Sequence, residues 1–137
     1  MKKELLHKDL SYKIQGAVMD VRKGLGSGHK ESVYQKALAE EFNLRGIDFE
    51  QEKSIKIFSP KTGKILGMYR PDFTIDNKII LEVKASPNLP SHLVNQLYDY
   101  LRNSDYELGY LVNFSSVRLY IKRFIFTNDR KLCLKNS

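Results

Sequence analysis

Arg70-Pro71-Asp72-Phe73-Thr74-Ile75-Asp76-Asn77-Lys78-Ile79-Ile80-Leu81-Glu82-Val83-Lys84 holds two runs rich in β-branched and aromatic residues around Asp76-Asn77, a pair suited to a turn. Side chains alternate along a strand. Ile80, Glu82 and Lys84 therefore share one face of the second run, and Ile79, Leu81 and Val83 the other. On the first run Phe73 and Ile75 point opposite to Asp72 and Thr74. Register decides whether the charges meet. A strict two-residue turn sets Asp72 across from Leu81, on the apolar face. A turn centred on Asn77 sets Phe73 against Leu81, Ile75 against Ile79 and Asp72 against Glu82. A slip of one residue flips every side chain, so the matching of apolar faces favours the second register. It predicts a loop of three or five residues, or a bulge.

Around this hairpin the chain reads as helices and strands in alternation. Leu10, Ile14, Ala17, Val18 and Val21 form one helical stripe, which predicts a helix over about Asp9 to Lys23 with Asp9 at its N-terminal end. Gly24 to Gly28 breaks it. A second stripe at Val33, Ala37, Leu38 and Leu44 ends at Gly46. Ile55 and Ile57 begin a strand, Ser59 to Gly63 is a turn, and Ile65 to Ile75 is a strand broken or edged at Pro71. After Lys78 to Lys84 come a loop at Pro87 to Pro90 and a helix carrying Leu93, Val94, Leu97, Tyr98 and Leu101. Leu108 to Phe114 and Val117 to Phe126 read as a final hairpin over Ser115-Ser116. This order predicts an α/β fold, a mixed central β-sheet flanked by helices, with a right-handed crossover into the fourth strand. The 137 residues suit a single domain spanning 1–137.

With 42% apolar and 28% charged residues the composition is globular, and no repeat or low-complexity stretch interrupts it. Lys and Arg number 23 against 16 Asp and Glu, and this net charge of +7 favours a polyanionic partner such as a phosphate backbone. The single cysteine, Cys133, cannot close an internal disulfide, and one cysteine with His7, His29 and His92 gives no zinc spacing. A reducing, cytoplasmic compartment is expected. No apolar run spans a bilayer, so no membrane partner is expected, and MKKELLHKDL has no apolar signal core.

Asp72 and Glu82, once paired, repel one another in a partly buried site. A divalent cation between them removes that cost. Magnesium takes oxygen ligands and keeps several waters, and the Val83 carbonyl offers a further oxygen. Lys84, on the face of Glu82, is placed to orient an attacking water or offset phosphoryl charge. An isolated Glu-x-Lys triplet is ordinarily a solvated pair. Here it lies in the otherwise apolar strand Ile79-Ile80-Leu81-Val83, where charges need a reason.

The chain resembles the PD-(D/E)XK nuclease superfamily. Pro71-Asp72 followed by Glu82-Val83-Lys84 reproduces its motif in order. Gly28-His29-Lys30-Glu31-Ser32-Val33-Tyr34 reads as GxxExxY and looks like the small prokaryotic GxxExxY protein family within it. Gln96-x-x-x-Tyr100 resembles the glutamine motif of the RecB-like branch, and Leu111-Val112-Asn113-Phe114 the late strand. The resemblance runs from about Gly24 to about Phe126. It implies a core of one helix, three strands, a helix and a strand, with Mg²⁺ (Mn²⁺ as an alternative) and phosphodiester hydrolysis. It implies Asp72 and Glu82 as metal ligands, with Glu31 completing the metal site directly or through water. Lys84 is the catalytic lysine, and Gln96 supports the active site or the backbone of nucleic acid.

Other residues keep two readings. With Gly28 as N-cap, Glu31 stands at the third helical position, where a carboxylate serves free amides and the dipole. Tyr34 shares its face and either packs over the site, against nucleic acid, or fills core volume. Gln96 and Tyr100 share a helix face and are candidate contacts to nucleic acid, as is Arg70, expected on the face of Asp72. His29 and His92 read as surface residues, His92 with a phosphate contact open to it one turn before Gln96. Lys122-Arg123 and Arg130-Lys131 read as a solvated face or a non-specific backbone contact. Two functions follow. One is a Mg²⁺-dependent nuclease acting on nucleic acid, DNA favoured, possible as a homodimer. The other is a catalytically silent nucleic-acid-binding or protein-interaction module on the same fold.

Overall fold

The computed structural model describes residues 6–135. The reading of the start as lacking an apolar signal core falls partly on residues 1–5, outside the described residues. Two helices lead, α1 (Lys8–Leu25) and α2 (Glu31–Leu44). Five strands follow: β1 (Phe49–Gln51), β2 (Ile55–Phe58), β3 (Ile65–Tyr69), β4 (Phe73–Ile75) and β5 (Ile79–Lys84). Then come α3 (His92–Arg102), β6 (Leu108–Asn113), β7 (Tyr120–Ile125), a 3-10 turn (Asn128–Arg130) and α4 (Leu132–Lys135). The main sheet has the order β1-β4-β5-β6-β7, and β2-β3 is a separate two-stranded sheet. Only β5 and β6 run parallel, joined by the crossover through α3. The mixed sheet flanked by helices matches the expectation.

The hairpin register also matches. Phe73 pairs with Leu81, Thr74 with Ile80 and Ile75 with Ile79, around a three-residue turn in which Asp76 and Asn77 both have φ 53. Phe73, Ile75, Ile79, Leu81 and Val83 all turn to one core, under α1 and α2. Ile80 turns to the other, under α3 and the β2–β3 hairpin.

Several boundaries move. Asp9 lies in the first turn of α1 without bonding as a cap, and His7 holds the N-cap. The break after α1 comes at Gly26, whose φ of 80 a side chain would oppose. Lys30, not Gly28, is the N-cap of α2, so Glu31 opens the helix. The buried stripe of α2 is Tyr34, Leu38 and Phe42; Val33 and Leu44 are exposed. The aromatic ends of that i, i+4, i+8 row carry more area than the aliphatic row beside it, and Phe42 packs edge-on to Phe73 at 5.5 Å. β1 has only three residues, too short for a period to show. The run Ile65–Ile75 is two strands in two sheets. Pro71 has no N–H to continue a ladder, so the chain changes sheet there. The last hairpin is wider than Ser115-Ser116: Val117 lies in the loop, and its segment is held by Arg22 donating to the Ser116 and Val117 carbonyls at 3.1 and 2.9 Å.

Lys131 does not face solvent or a phosphate backbone. It is fully buried, and its Nζ donates to the Ser104 and Tyr106 carbonyls at 2.9 and 2.6 Å. Burial pushes its pKa down to about 8. Cys133 is buried beside it, within 3.7 Å of the Arg102 carbonyl. Among the described residues no helix is long and apolar enough to cross a membrane.

Candidate active site

The end of β5 gathers the charges. Continuing the register beyond Phe73 sets Asp72 opposite Glu82 and Pro71 opposite Val83. The Val83 N–H points to that side and donates to Asp72 Oδ2 at 2.7 Å. Its carbonyl points the same way, toward a rung where Pro71 offers no donor. Glu82 Oε1 accepts the Asp72 N–H at 3.2 Å, and Oε2 accepts the Tyr69 hydroxyl. Tyr69 is itself stacked on Tyr100, with ring centroids 3.6 Å apart. Asp72 and Glu82 are thus cross-tied by each other's strand, which sets their positions before any ligand arrives.

The carboxyl groups act on one another through charge. Burial pushes the Glu82 carboxyl up to about 7; the Asp72 N–H bond and Lys84 pull it down, and Glu31 pushes it up. Burial also raises Asp72, against its bond from Val83 and the Lys84 charge, while Glu52 raises it further. Glu31 is raised by burial, lowered by Lys84 and raised by Asp72. Lys84 therefore acts on all three carboxyl groups. Gln96 lies beside Glu82, Lys84 and Tyr69 on the wall of a small recess under α3. The structure brings Glu31, Asp72, Glu82, Lys84 and Gln96 to one place, with Tyr100 behind Tyr69.

Two expected contacts fall elsewhere. Tyr34 is fully buried, stacked on Phe114 at 4.4 Å, so it cannot touch nucleic acid. Its hydroxyl donates to the Gly26 carbonyl at 2.6 Å and accepts the His29 N–H at 3.2 Å. Tyr34 fastens the glycine-rich turn that delivers Glu31. Tyr34→Phe is expected to cost about 1–2 kcal/mol, the range for a lost buried hydrogen bond, with faster amide exchange confined to residues 26–30. Uniform protection across that turn in the variant would refute the role. Arg70 does not share the cluster: the chain bends at Pro71, and Arg70 Nε donates to Ser54 at 3.3 Å instead. His29 is used locally, its Nε2 lying 3.0 Å from the Leu25 carbonyl.

Four neighbours escaped the sequence as parts of the site. Tyr69 sat inside the run Ile65 to Ile75, read as a strand broken or edged at Pro71, with no signal of its own. Gln35 lies one turn after Glu31, donates to it at 3.5 Å, and stands close enough to Asp72 to lower its pKa. The i, i+4 spacing from Glu31 was the available signal. Glu52, at φ 52, follows a strand too short to read. Asn113, seen only as part of a late strand, is buried and tied to Ser86 in both directions, at 3.1 and 2.8 Å. It holds the segment just after Lys84.

Among the described residues no group of three or more His, Cys, Asp or Glu side chains is placed to hold a metal ion. The donor set is nonetheless hard oxygen: the Asp72 and Glu82 carboxyl groups and the Val83 carbonyl. It fits a cation that keeps most of its waters. The recess beside Glu82, Lys84 and Gln96 is small, and a larger hollow of about 460 Å³ lies elsewhere, beside Ser11, Gln15, Tyr110 and Arg123.

The family model of the PD-(D/E)XK nuclease superfamily matches residues 8–124. The chain belongs to this superfamily. Superfamily members are generally nucleases that act on nucleic acid, typically with divalent metals. The match takes in α1 through most of β7, and so covers every residue of the charged cluster. No curated protein matches the chain significantly.

Proposed function

We propose that this PD-(D/E)XK protein, of the GxxExxY type, is a Mg²⁺-dependent nuclease that hydrolyses phosphodiester bonds, with DNA the favoured substrate and Mn²⁺ an acceptable substitute. The observation that carries the reading is the cross-tied pair, Asp72 Oδ2 accepting the Val83 N–H at 2.7 Å and Glu82 Oε1 accepting the Asp72 N–H at 3.2 Å, with Glu31 and Lys84 near enough to act on it. Burial pushes the Glu82 carboxyl up to about 7, so keeping it ionised beside other carboxylates costs stability, and a cation would offset the cost. Asp72, Glu82 and the Val83 carbonyl would hold it, with Glu31 through water. When bound, the cation supplies positive charge at the phosphate and lowers the pKa of water. Lys84 supplies a fixed positive charge where negative charge grows during displacement. Gln96 hydrogen-bonds the backbone flanking the reacting phosphate, and Tyr100 steadies the Tyr69–Glu82 pair. A buried thiol at Cys133 supports a reducing, cytoplasmic setting.

The silent-module reading draws support from Glu82, both of whose oxygens already accept protein hydrogen bonds. Linear DNA, single-stranded DNA and RNA incubated with Mg²⁺, Mn²⁺ or EDTA separate the two. Cleavage is expected with either metal, lost in EDTA and lost in Asp72→Asn, together with loss of Mg²⁺ binding heat in that variant. Equal cleavage by wild type and Asp72→Asn, or binding of nucleic acid without any cleavage, would overturn the nuclease reading.

A further inference from the structure

From Lys53 to Pro71 the chain holds no acidic residue and five cations. Lys53 is paired with Glu50 at 3.2 Å. Among the described residues, Lys56, Lys61, Lys64 and Arg70 make no ion pair and stand exposed. They lie on the β2–β3 hairpin and its exit, interleaved with aliphatic side chains that face water. Ile65, Leu66 and Met68 are 53%, 69% and 58% exposed. Lys56 pairs directly across from Met68, and Leu66 is the unpaired residue where the ladder shifts register between Ile57 and Phe58, its side chain exposed to water. The inner face is committed, since Ile55 and Tyr69 pack in the core beneath α3. The Phe58 N–H is tied to the Asn103 carbonyl at 2.8 Å, and Ser59 Oγ holds the turn by accepting from Lys61 and Thr62. The hairpin is thus fixed in place, and β3 runs straight into the cluster through Tyr69, whose hydroxyl meets Glu82.

Four unpaired cations fit phosphates, but they do not explain three exposed aliphatic groups among them. Contiguous apolar surface rimmed by charge marks an interaction site. Bases inside a duplex are stacked and hidden. Unstacked bases present apolar faces beside their phosphates, whereas Leu, Ile and Met reach the bases of a duplex only by prising a step apart, at the cost of its stacking energy. We propose that the outer face of the β2–β3 hairpin docks an unpaired stretch of the nucleic-acid substrate beside the point of cleavage. Leu66 and Met68 meet base faces, and Lys56, Lys61, Lys64 and Arg70 meet phosphates. The proposal rests on the nuclease reading and adds the strand state of its substrate.

The test is fluorescence anisotropy with the full chain in EDTA. The probes are a labelled single-stranded DNA oligonucleotide and the same sequence as a duplex, each over a range of salt. The single strand is expected to bind about tenfold more tightly. Leu66→Ser/Met68→Ser should lose about tenfold on the single strand with an unchanged salt slope. Lys56→Gln/Lys61→Gln/Lys64→Gln should lower the slope by about 2, since each phosphate contact on a single strand contributes about 0.7. Wild-type affinity in either variant, or preference for the duplex, overturns the proposal. So does light scattering that shows a dimer made monomeric by Leu66→Ser/Met68→Ser with binding unchanged, because the face would then join copies of the chain. Hairpin-dependent binding without any Asp72-dependent cleavage supports the surface and sinks only the nuclease reading. Asp72-dependent cleavage with hairpin-indifferent binding does the reverse.

Discussion

Lys84→Ala is expected to lower kcat by about 10²–10³-fold, roughly 3–4 kcal/mol of transition-state stabilisation, while Mg²⁺ binding persists or tightens. The two effects separate because Lys84 acts on the carboxyl cluster by charge and not by a bond. Its ammonium favours the ionised forms of Glu31, Asp72 and Glu82, and it also repels any cation placed among them. Removing it takes away the fixed charge at the reacting phosphate and the repulsion together. Above pH 7, where Glu82 is ionised, the second effect favours the cation. Single-turnover kinetics and calorimetric titration with Mg²⁺ at pH 8 read the two quantities. A variant with unchanged kcat, or one that has lost metal binding as Asp72→Asn should, would remove Lys84 from the chemistry.

Glu82→Gln is expected to stabilise the metal-free protein at pH 8 by about 2–3 kcal/mol and to abolish cleavage. The sign follows from proton linkage. The carboxyl of Glu82 has an ordinary value of 4.5 and is pushed up to about 7 by burial in the folded chain. Below about pH 4.5 it is protonated in both states and carries no penalty. As pH rises through 7 the folded state must ionise a buried group that the unfolded state ionises freely. Stability is therefore present at low pH and lost as pH rises, by up to about 3 kcal/mol, because each tenfold change in proton affinity is worth about 1.4 kcal/mol. Glutamine retains an acceptor for the Asp72 N–H and a polar group for Tyr69, and it never ionises. Urea unfolding in EDTA at pH 4 and pH 8 gives the comparison: variant and wild type should nearly coincide at pH 4 and diverge at pH 8. Equal stability at both values would show that the carboxyl is not held against its charge. Saturating Mg²⁺ should restore wild type toward the variant at pH 8, since a ligand that binds only the folded state stabilises it. A site that costs stability when empty is the usual trade between stability and activity.

The pairing of Asp72 with Glu82 was legible because Phe73, Ile75, Ile79 and Leu81 admit one register that buries them all. Apolar matching is a strong constraint where one face of a strand is covered. The same logic found the stripe of α1. It failed on α2, where two rows of apolar residues compete and volume decided for Tyr34, Leu38 and Phe42. It could not see β1, whose three residues carry no period. It read Lys131 as solvated because nothing local announces that two backbone carbonyls 25 and 27 residues earlier will close on it. Tyr69 and Gln35 were missed for a related reason. Each joins the cluster through a contact that depends on how separate elements dock, and each looks locally like an ordinary strand or helix residue.

Pro71 contributes no side-chain chemistry to the cluster. Its part is a hydrogen atom that it lacks. Any other residue at that rung would present an amide to the Val83 carbonyl, and the two strands would zip one step further, closing over the oxygen between Asp72 and Glu82. The opening of this site is thus an interruption held in place by an imino acid. A sheet that paired without a break would seal it.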